Sequence, residues 1–157
     1  KAVARARGTY FQGSATFDTT RPLPDGLVFV DTVGGHPITA DTPVTELATV
    51  SIGDGAGSGP GGVFRGWIVA NGSVSISGSA AVEGLVYAAD RFSQTGGARL
   101  IGAAMAGHVR SATPSLVDAR PVSGAALIGR CEVGQTGGGK LPQRWLVKPG
   151  TYREAAS

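Results

Sequence analysis

An all-β chain is expected here: a short triangular parallel β-solenoid of 18-residue coils, flanked by antiparallel strands from both termini. Three observations carry that expectation. Glycine recurs at every sixth position, at Gly66, Gly72, Gly78, Gly84, Gly96 and Gly102, with Asp90 and His108 in the two slots that the series skips. Between these marks lie small or apolar pairs two residues apart: Ile68/Ala70, Val74/Ile76, Ala80/Val82, Val86/Ala88, Phe92/Gln94, Ala98/Leu100 and Ala104/Ala106. Only Gln94 breaks the apolar set. Residues 66–70, 84–88 and 102–106 then repeat one pattern at a spacing of 18, which is three sides of six. The two-residue period is the pleat of a strand, and a turn every six residues is one side of a coil.

The elements follow in chain order within a single domain. Residues 1–62 hold the N-terminal strands and a Gly-rich loop. An aromatic stretch at 8–17 reads as a strand pair, and Arg21-Pro22-Leu23-Pro24-Asp25-Gly26 reads as a turn, because Pro presets φ and Asp-Gly makes the tight bend. Residues 27–31 form a buried strand closed by Gly34-Gly35, and 44–52 form another extended run. Residues 54–62 are a glycine loop. They lack the Lys-Ser/Thr of a phosphate cradle, and no helix pattern follows them. Residues 63–128 are the solenoid, with the six-residue rule strictest up to 110. Residues 129–157 are C-terminal capping strands: a second glycine loop at 134–140, then an apolar strand and turn at 145–152. A coil this short exposes unpaired backbone groups at both ends, and the segments at the two termini are the natural covers.

Composition agrees. The 157 residues suit one domain with a real core. The 26 glycines have no period of three, which excludes collagen, and 16% charged residues suit stacked strands better than helices. Cys131 is the only cysteine, so an intrachain disulfide and a Cys-based zinc site are both excluded, and a buried inert thiol is expected. No apolar run approaches the ~18 residues of a membrane span, and no cofactor or metal cluster is encoded. The chain starts at Lys1 rather than Met, which reads as a processed or excised piece.

Net charge is +3 and unevenly spread: residues 1–90 carry five Lys/Arg against eight Asp/Glu, and residues 91–157 carry nine against three. Arg91, Arg99, Arg110, Arg120, Arg130, Lys140, Arg144 and Lys148 are candidate surface contacts to DNA or another polyanion, provided several share one face. The alternative is a solvated basic surface. Residues 18 apart should stack about 4.8 Å apart. Arg65 then pairs with Glu83 outward, and Asp90 lies under His108 at a corner. An acid-oriented histidine would suit a hexapeptide-coil acyltransferase. The plainer reading is that both residues tolerate the turn geometry, and His36 lies too far along the chain to help. A hydroxyl ladder is expected on one side, made of Ser75, Ser77, Ser93, Thr95, Ser111 and Thr113. It solvates a strand face or suits sugar, while ice binding would favour Thr over Ser. Trp67 and Tyr87 should point outward from one side, either to stack on a base or sugar or to lie under a capping loop.

The run Gly66-Trp67-Ile68-Val69-Ala70-Asn71-Gly72-Ser73-Val74-Ser75-Ile76-Ser77-Gly78, continued by Val82-Glu83-Gly84-Leu85-Val86-Tyr87-Ala88, resembles the C-terminal region of PilX-like type IV pilus assembly proteins. Pro24-Asp25-Gly26-Leu27-Val28-Phe29-Val30-Asp31 is similar to the strand that often precedes their coil. Lys148-Pro149-Gly150-Thr151-Tyr152-Arg153-Glu154 resembles their closing segment. The three islands lie in the family's order. The resemblance implies a right-handed coil in an extracellular, non-enzymatic minor pilin or pilus-associated module of the bacterial cell surface. Adhesion, contact with other pilus subunits and contact with DNA are the implied roles. A pilin's cleavage motif and long apolar helix are not in this sequence, so the implied piece is the soluble domain of a longer chain. The alternative is a self-assembling structural solenoid of the bactofilin kind, joining as a homo-oligomer through bare coil ends.

Overall fold

The computed structural model describes residues 1–39, 41–107, 116–119 and 126–128, the last two as strand backbone. It opens with one short helix, α1 (Ala2–Ala6), and is otherwise built mainly of strands, with single 3-10 turns at Val44–Glu46 and Pro60–Gly62. The first of these corrects the extended run expected over 44–52, which is strand only from Ala48. Strands alternate between two sheets. The first holds β1 (Tyr10–Gln12), β3 (Gly26–Asp31), β5 (Val63–Ala70), β7 (Ala81–Ala88), β9 (Arg99–Ala106) and β11 (Ala126–Ile128), in that order. The second holds β2 (Ala15–Phe17), β4 (Ala48–Ile52), β6 (Gly72–Ile76), β8 (Arg91–Gln94) and β10 (Leu116–Ala119), again in chain order. The chain crosses from one sheet to the other and advances by one strand each time. The protein is therefore all-β, with parallel sheets.

Every pairing between these strands is parallel, and this corrects the expectation for the N-terminal flank. Strands β1 to β4 are not an antiparallel cover but the first rungs of the same two sheets. Their period is hidden by extra residues between strands. Gly26 sits opposite Gly66, 40 positions on, and Ala48 sits opposite Gly72, 24 positions on. Between β5, β7 and β9 the offset is 18, as the spacing predicts. Beyond β9 it lengthens again: Leu116 pairs with Arg91, 25 positions back, and Ala126 with Arg99, 27 back. The expected C-terminal capping strands at 129–157 lie outside the described residues.

The pleat sorts side chains as anticipated. Ile68, Ala70, Val74, Ile76, Ala80, Val82, Val86, Ala88, Phe92, Ala98 and Leu100 all belong to one buried cluster, and Ala104 and Ala106 pack against it. Gln94 enters this core because its Nε2 donates to the Ala98 carbonyl at 2.7 Å, which offsets part of its desolvation. The N-terminal strands feed the same cluster with Phe17, Val28, Val30, Val50 and Ile52, and Leu23 from the β2–β3 connection and Phe64 from β5 join them.

A column of glycines, Gly26, Gly66, Gly84 and Gly102, is stacked strand on strand. Gly66 and Gly84 hold φ of 152° and 148°, and a Cβ on either would run into the carbonyl of the glycine beneath. Only glycine allows both that φ and that approach. At the N-terminal end, Phe11 meets Phe17 edge-on at 5.1 Å between ring centroids. The Arg21 guanidinium lies 5.1 and 5.5 Å from the two rings.

Candidate functional site: two outer faces and a cleft

The alternation that buries one side chain turns the next outward, so each sheet displays rows of stacked residues. On the first sheet one row is Leu27–Trp67–Leu85–Ala103, and the next is Phe29–Val69–Tyr87–Met105, with Tyr10 opposite Phe29. Trp67 and Tyr87 share this outward side, as expected, in adjacent rows. Most of these side chains are half-buried, while Met105 is 53% exposed. Tyr10 stacks on Phe29 with ring centroids 6.2 Å apart, and the Arg5 guanidinium sits 4.4 Å over Tyr10. This face is apolar and aromatic, edged by cations.

The second sheet is its opposite. Thr16, Ser51, Ser75 and Ser93 are stacked in register, and Thr49 and Ser73 form a shorter row beside them. The expected ladder is therefore present at Ser75 and Ser93 and extends toward the N-terminus rather than the C-terminus. Asp118, not Ser111, lies opposite Ser93, because the 18-residue offset has ended. Ser111 and Thr113 lie outside the described residues. Ser77 and Thr95 fall just past β6 and β8, where their N–H groups donate to Ile52 and Ile76 carbonyls. Thr16 and Ser51 were missed because 35 residues separate them in sequence.

The remaining candidates divide plainly. Arg65 Nε meets Glu83 Oε2 at 2.9 Å, the outward pair that the spacing implies. Asp90 Oδ2 accepts from the Ser73 hydroxyl at 2.7 Å, while His108 lies outside the described residues. Arg91 and Arg99 are both exposed but start strands of different sheets, β8 and β9. Arg110, Arg120, Arg130, Lys140, Arg144 and Lys148 lie outside the described residues. A cation cluster that the charge count did not reveal gathers at the N-terminal end, where Lys1, Arg5 and Arg21 meet Tyr10, Phe11 and Phe17.

Lys1 is held there by Asp31, whose buried carboxylate lies 2.5 Å from Nζ. Asp31 also accepts from Asn71 Nδ2 at 2.7 Å, Tyr10 Oη at 3.0 Å and the Thr32 N–H at 3.0 Å. Burial pushes this carboxyl up, but the hydrogen bonds from Lys1, Asn71, Tyr10 and Thr32 together outweigh it. The group titrates below the ordinary carboxylate range. On the surface, the backbone N–H and hydroxyl of Ser79 likewise lower Asp54.

Beside Asp31 the chain leaves the sheets for residues 32–47 and forms a cleft of about 330 Å³. Thr32, His36, Thr39, Asp41, Thr42 and Glu46 line it, with Pro37 and Pro43. No recognisable motif surrounds His36 in the sequence. Among the described residues no group of three or more His, Cys, Asp or Glu is arranged to hold a metal, and no helix is long and apolar enough to cross a membrane. No family model, curated protein or solved structure matches this chain.

Proposed function

We propose that this chain is a short triangular β-solenoid serving as a non-catalytic recognition module of the bacterial cell surface, of the pilus-associated kind. Closure into three sides is supported by the eight-residue strands β5, β7 and β9, each of which passes through the glycine corner at its middle. Residues before and after that corner, such as Phe64 and Ile68, enter one common core. The observation that carries the functional reading is the pair of contrasting outer faces, each an in-register array across at least four strands. Repeated rows suit an extended contact better than a point-like chemistry. The resemblance to PilX-like proteins supplies the setting, outside the cell among other pilus subunits.

The self-assembling alternative needs bare coil ends. At the N-terminal end Phe11 and Phe17 lie under Arg21, α1 packs Ala4 fully out of solvent, and the edge strands β1 and β2 are three residues long. Short, covered edges resist end-to-end pairing.

Protease shaving of intact cells that express the protein tests the setting. Release of fragments from this domain, with a cytoplasmic marker left intact, is the expected result. Complete protection until lysis would sink the surface reading and favour an internal filament. Contact with DNA is tested separately by binding across a salt series. The expected affinity falls steeply with salt as phosphate counterions are released. Absence of binding at low salt would remove nucleic acid from the partners.

A further inference from the structure

The cleft over residues 32–47 is an addition that the coil does not need. Between β5 and β6 the corresponding corner is Asn71 alone, and between β7 and β8 it is Ala89 and Asp90. Between β3 and β4 it takes sixteen residues, 32 to 47. Insertions of this kind are where repeat folds place binding groups. This one is pinned to the sheets. Gln12 Nε2 donates to the Val33 carbonyl at 2.9 Å, and Lys1 Nζ donates to the Gly35 carbonyl at 2.7 Å. The Thr32 hydroxyl donates to the His36 carbonyl at 2.8 Å, and the Gly34 N–H donates to Glu46 Oε2 at 3.1 Å. These bonds fix the wall formed by residues 32–36 and Glu46, and the Thr39 N–H donates to the Thr42 hydroxyl at 2.8 Å across the other wall. A wall held in advance lowers the ordering cost of binding.

The lining selects the ligand. Asp41 and Glu46 bring two carboxylates, and among the described residues neither meets a cation. A phosphate or other anion is repelled, so this is not the polyanion surface. Thr39 and Thr42 add hydroxyls and His36 an imidazole, while the rings of Pro37 and Pro43 offer apolar contact. A volume of about 330 Å³ sits at the small end of ligand sites and admits one sugar ring. A ligand rich in donors, positively charged and built on a small ring satisfies all of these at once.

We infer that the cleft binds an amino sugar, a pyranose carrying a free ammonium. Asp41 and Glu46 receive the ammonium through charge-assisted hydrogen bonds, and Thr39, Thr42 and His36 receive ring hydroxyls. The inference goes beyond the surface-recognition reading and does not rest on it, since a soluble sugar reports on the cleft wherever the chain resides.

The experiment is an amide-shift NMR titration of the whole chain with glucosamine, N-acetylglucosamine, glucose and methylammonium at constant ionic strength. Glucosamine is expected to shift Gly34, His36, Thr39 and Thr42 with a Kd on the order of 1 mM. The other three should bind at least about tenfold more weakly, a difference of one charge-assisted contact or its equivalent. Asp41→Asn should weaken glucosamine about fivefold or more with an unchanged melting temperature, because Asp41 is exposed. No shift with any probe at about 50 mM, where a millimolar site would be filled, overturns the inference. Methylammonium as effective as glucosamine reduces the cleft to a cation site. Glucose as effective as glucosamine, or Asp41→Asn binding as well as the parent, removes the ammonium contact; each of these outcomes also overturns it.

Discussion

The outward rows of the first sheet read Leu27–Trp67–Leu85–Ala103 and Phe29–Val69–Tyr87–Met105, and those of the second read Thr16–Ser51–Ser75–Ser93. The same pleat builds both, and the same core lies behind both. The inward positions barely differ: Ile68 and Val86 behind one face, Val74 and Phe92 behind the other, all essentially without exposure. Fold information therefore lies in every second residue, and the others are free to make one face wet and the other greasy. A hydroxyl row is content with water. Two adjacent apolar rows of four side chains each are an interaction surface in waiting, because contiguous apolar area on a surface is seldom left bare.

The largest effect should come from the frame that the two faces share. Gly84→Val places a branched side chain at φ 148° and drives its Cβ into the Gly66 carbonyl, so neither face survives intact. The expected loss is at least about 3 kcal/mol in chemical denaturation, combining backbone strain with overpacking. A cost under about 1 kcal/mol would mean that the sheet tolerates a side chain in the glycine column.

Next comes Asp31→Asn, which strips the charge from the junction of α1, β1, β3 and the cleft loop. A cost of about 1–3 kcal/mol is expected, since Lys1, Tyr10 and Asn71 lose an ionised acceptor. The sign with pH follows from the lowered titration of Asp31. Its contribution is complete above the unfolded value of about 3.9 and disappears as pH falls through the depressed folded value. Denaturant midpoints of the parent and of Asp31→Asn should therefore converge below pH 3.9, roughly, and separate above it. Parallel curves across that window would contradict the assignment.

How much of this was legible follows from where the spacing is regular. Ile68/Ala70 through Ala98/Leu100 declare themselves because nothing interrupts the six-residue beat. Gly26 belongs to the same glycine column as Gly66, yet the added cleft loop and glycine loop push the two 40 apart and out of any visible period. The same insertion made β3 look like a flanking strand rather than a rung. Asp31 reads in sequence as the polar end of a buried run. Its role appears only once Lys1 and Tyr10, 30 and 21 residues earlier, fold back on it. The cleft had no signature at all, because Thr, Pro, Asp and Glu in a loop are ordinary turn chemistry until three-dimensional placement turns them toward one space.

The two faces can then be set directly against each other. Ser75→Ala with Ser93→Ala should change stability by no more than about 0.5 kcal/mol, since each removes one small hydroxyl from a half-buried outward position. Leu85→Ser with Tyr87→Ser removes half-buried apolar area and should cost about 1–2 kcal/mol, while lowering binding of a hydrophobic dye to the folded protein. Equal effects from the two pairs would erase the contrast between the faces.

The smallest effect tests whether register alone confers strength. Arg65 and Glu83 are stacked on neighbouring strands and joined at 2.9 Å, but their side chains are 48% and 33% exposed. At that exposure water screens the attraction, and fixing two long side chains consumes much of what remains. A double-mutant cycle of Arg65→Gln and Glu83→Gln should return a coupling of about 0.2–1 kcal/mol, fading as salt is raised. A coupling above about 2 kcal/mol would place this pair outside the surface range. Outward residues would then help to hold the sheets, and the division between inward fold and outward display would fail at its simplest point.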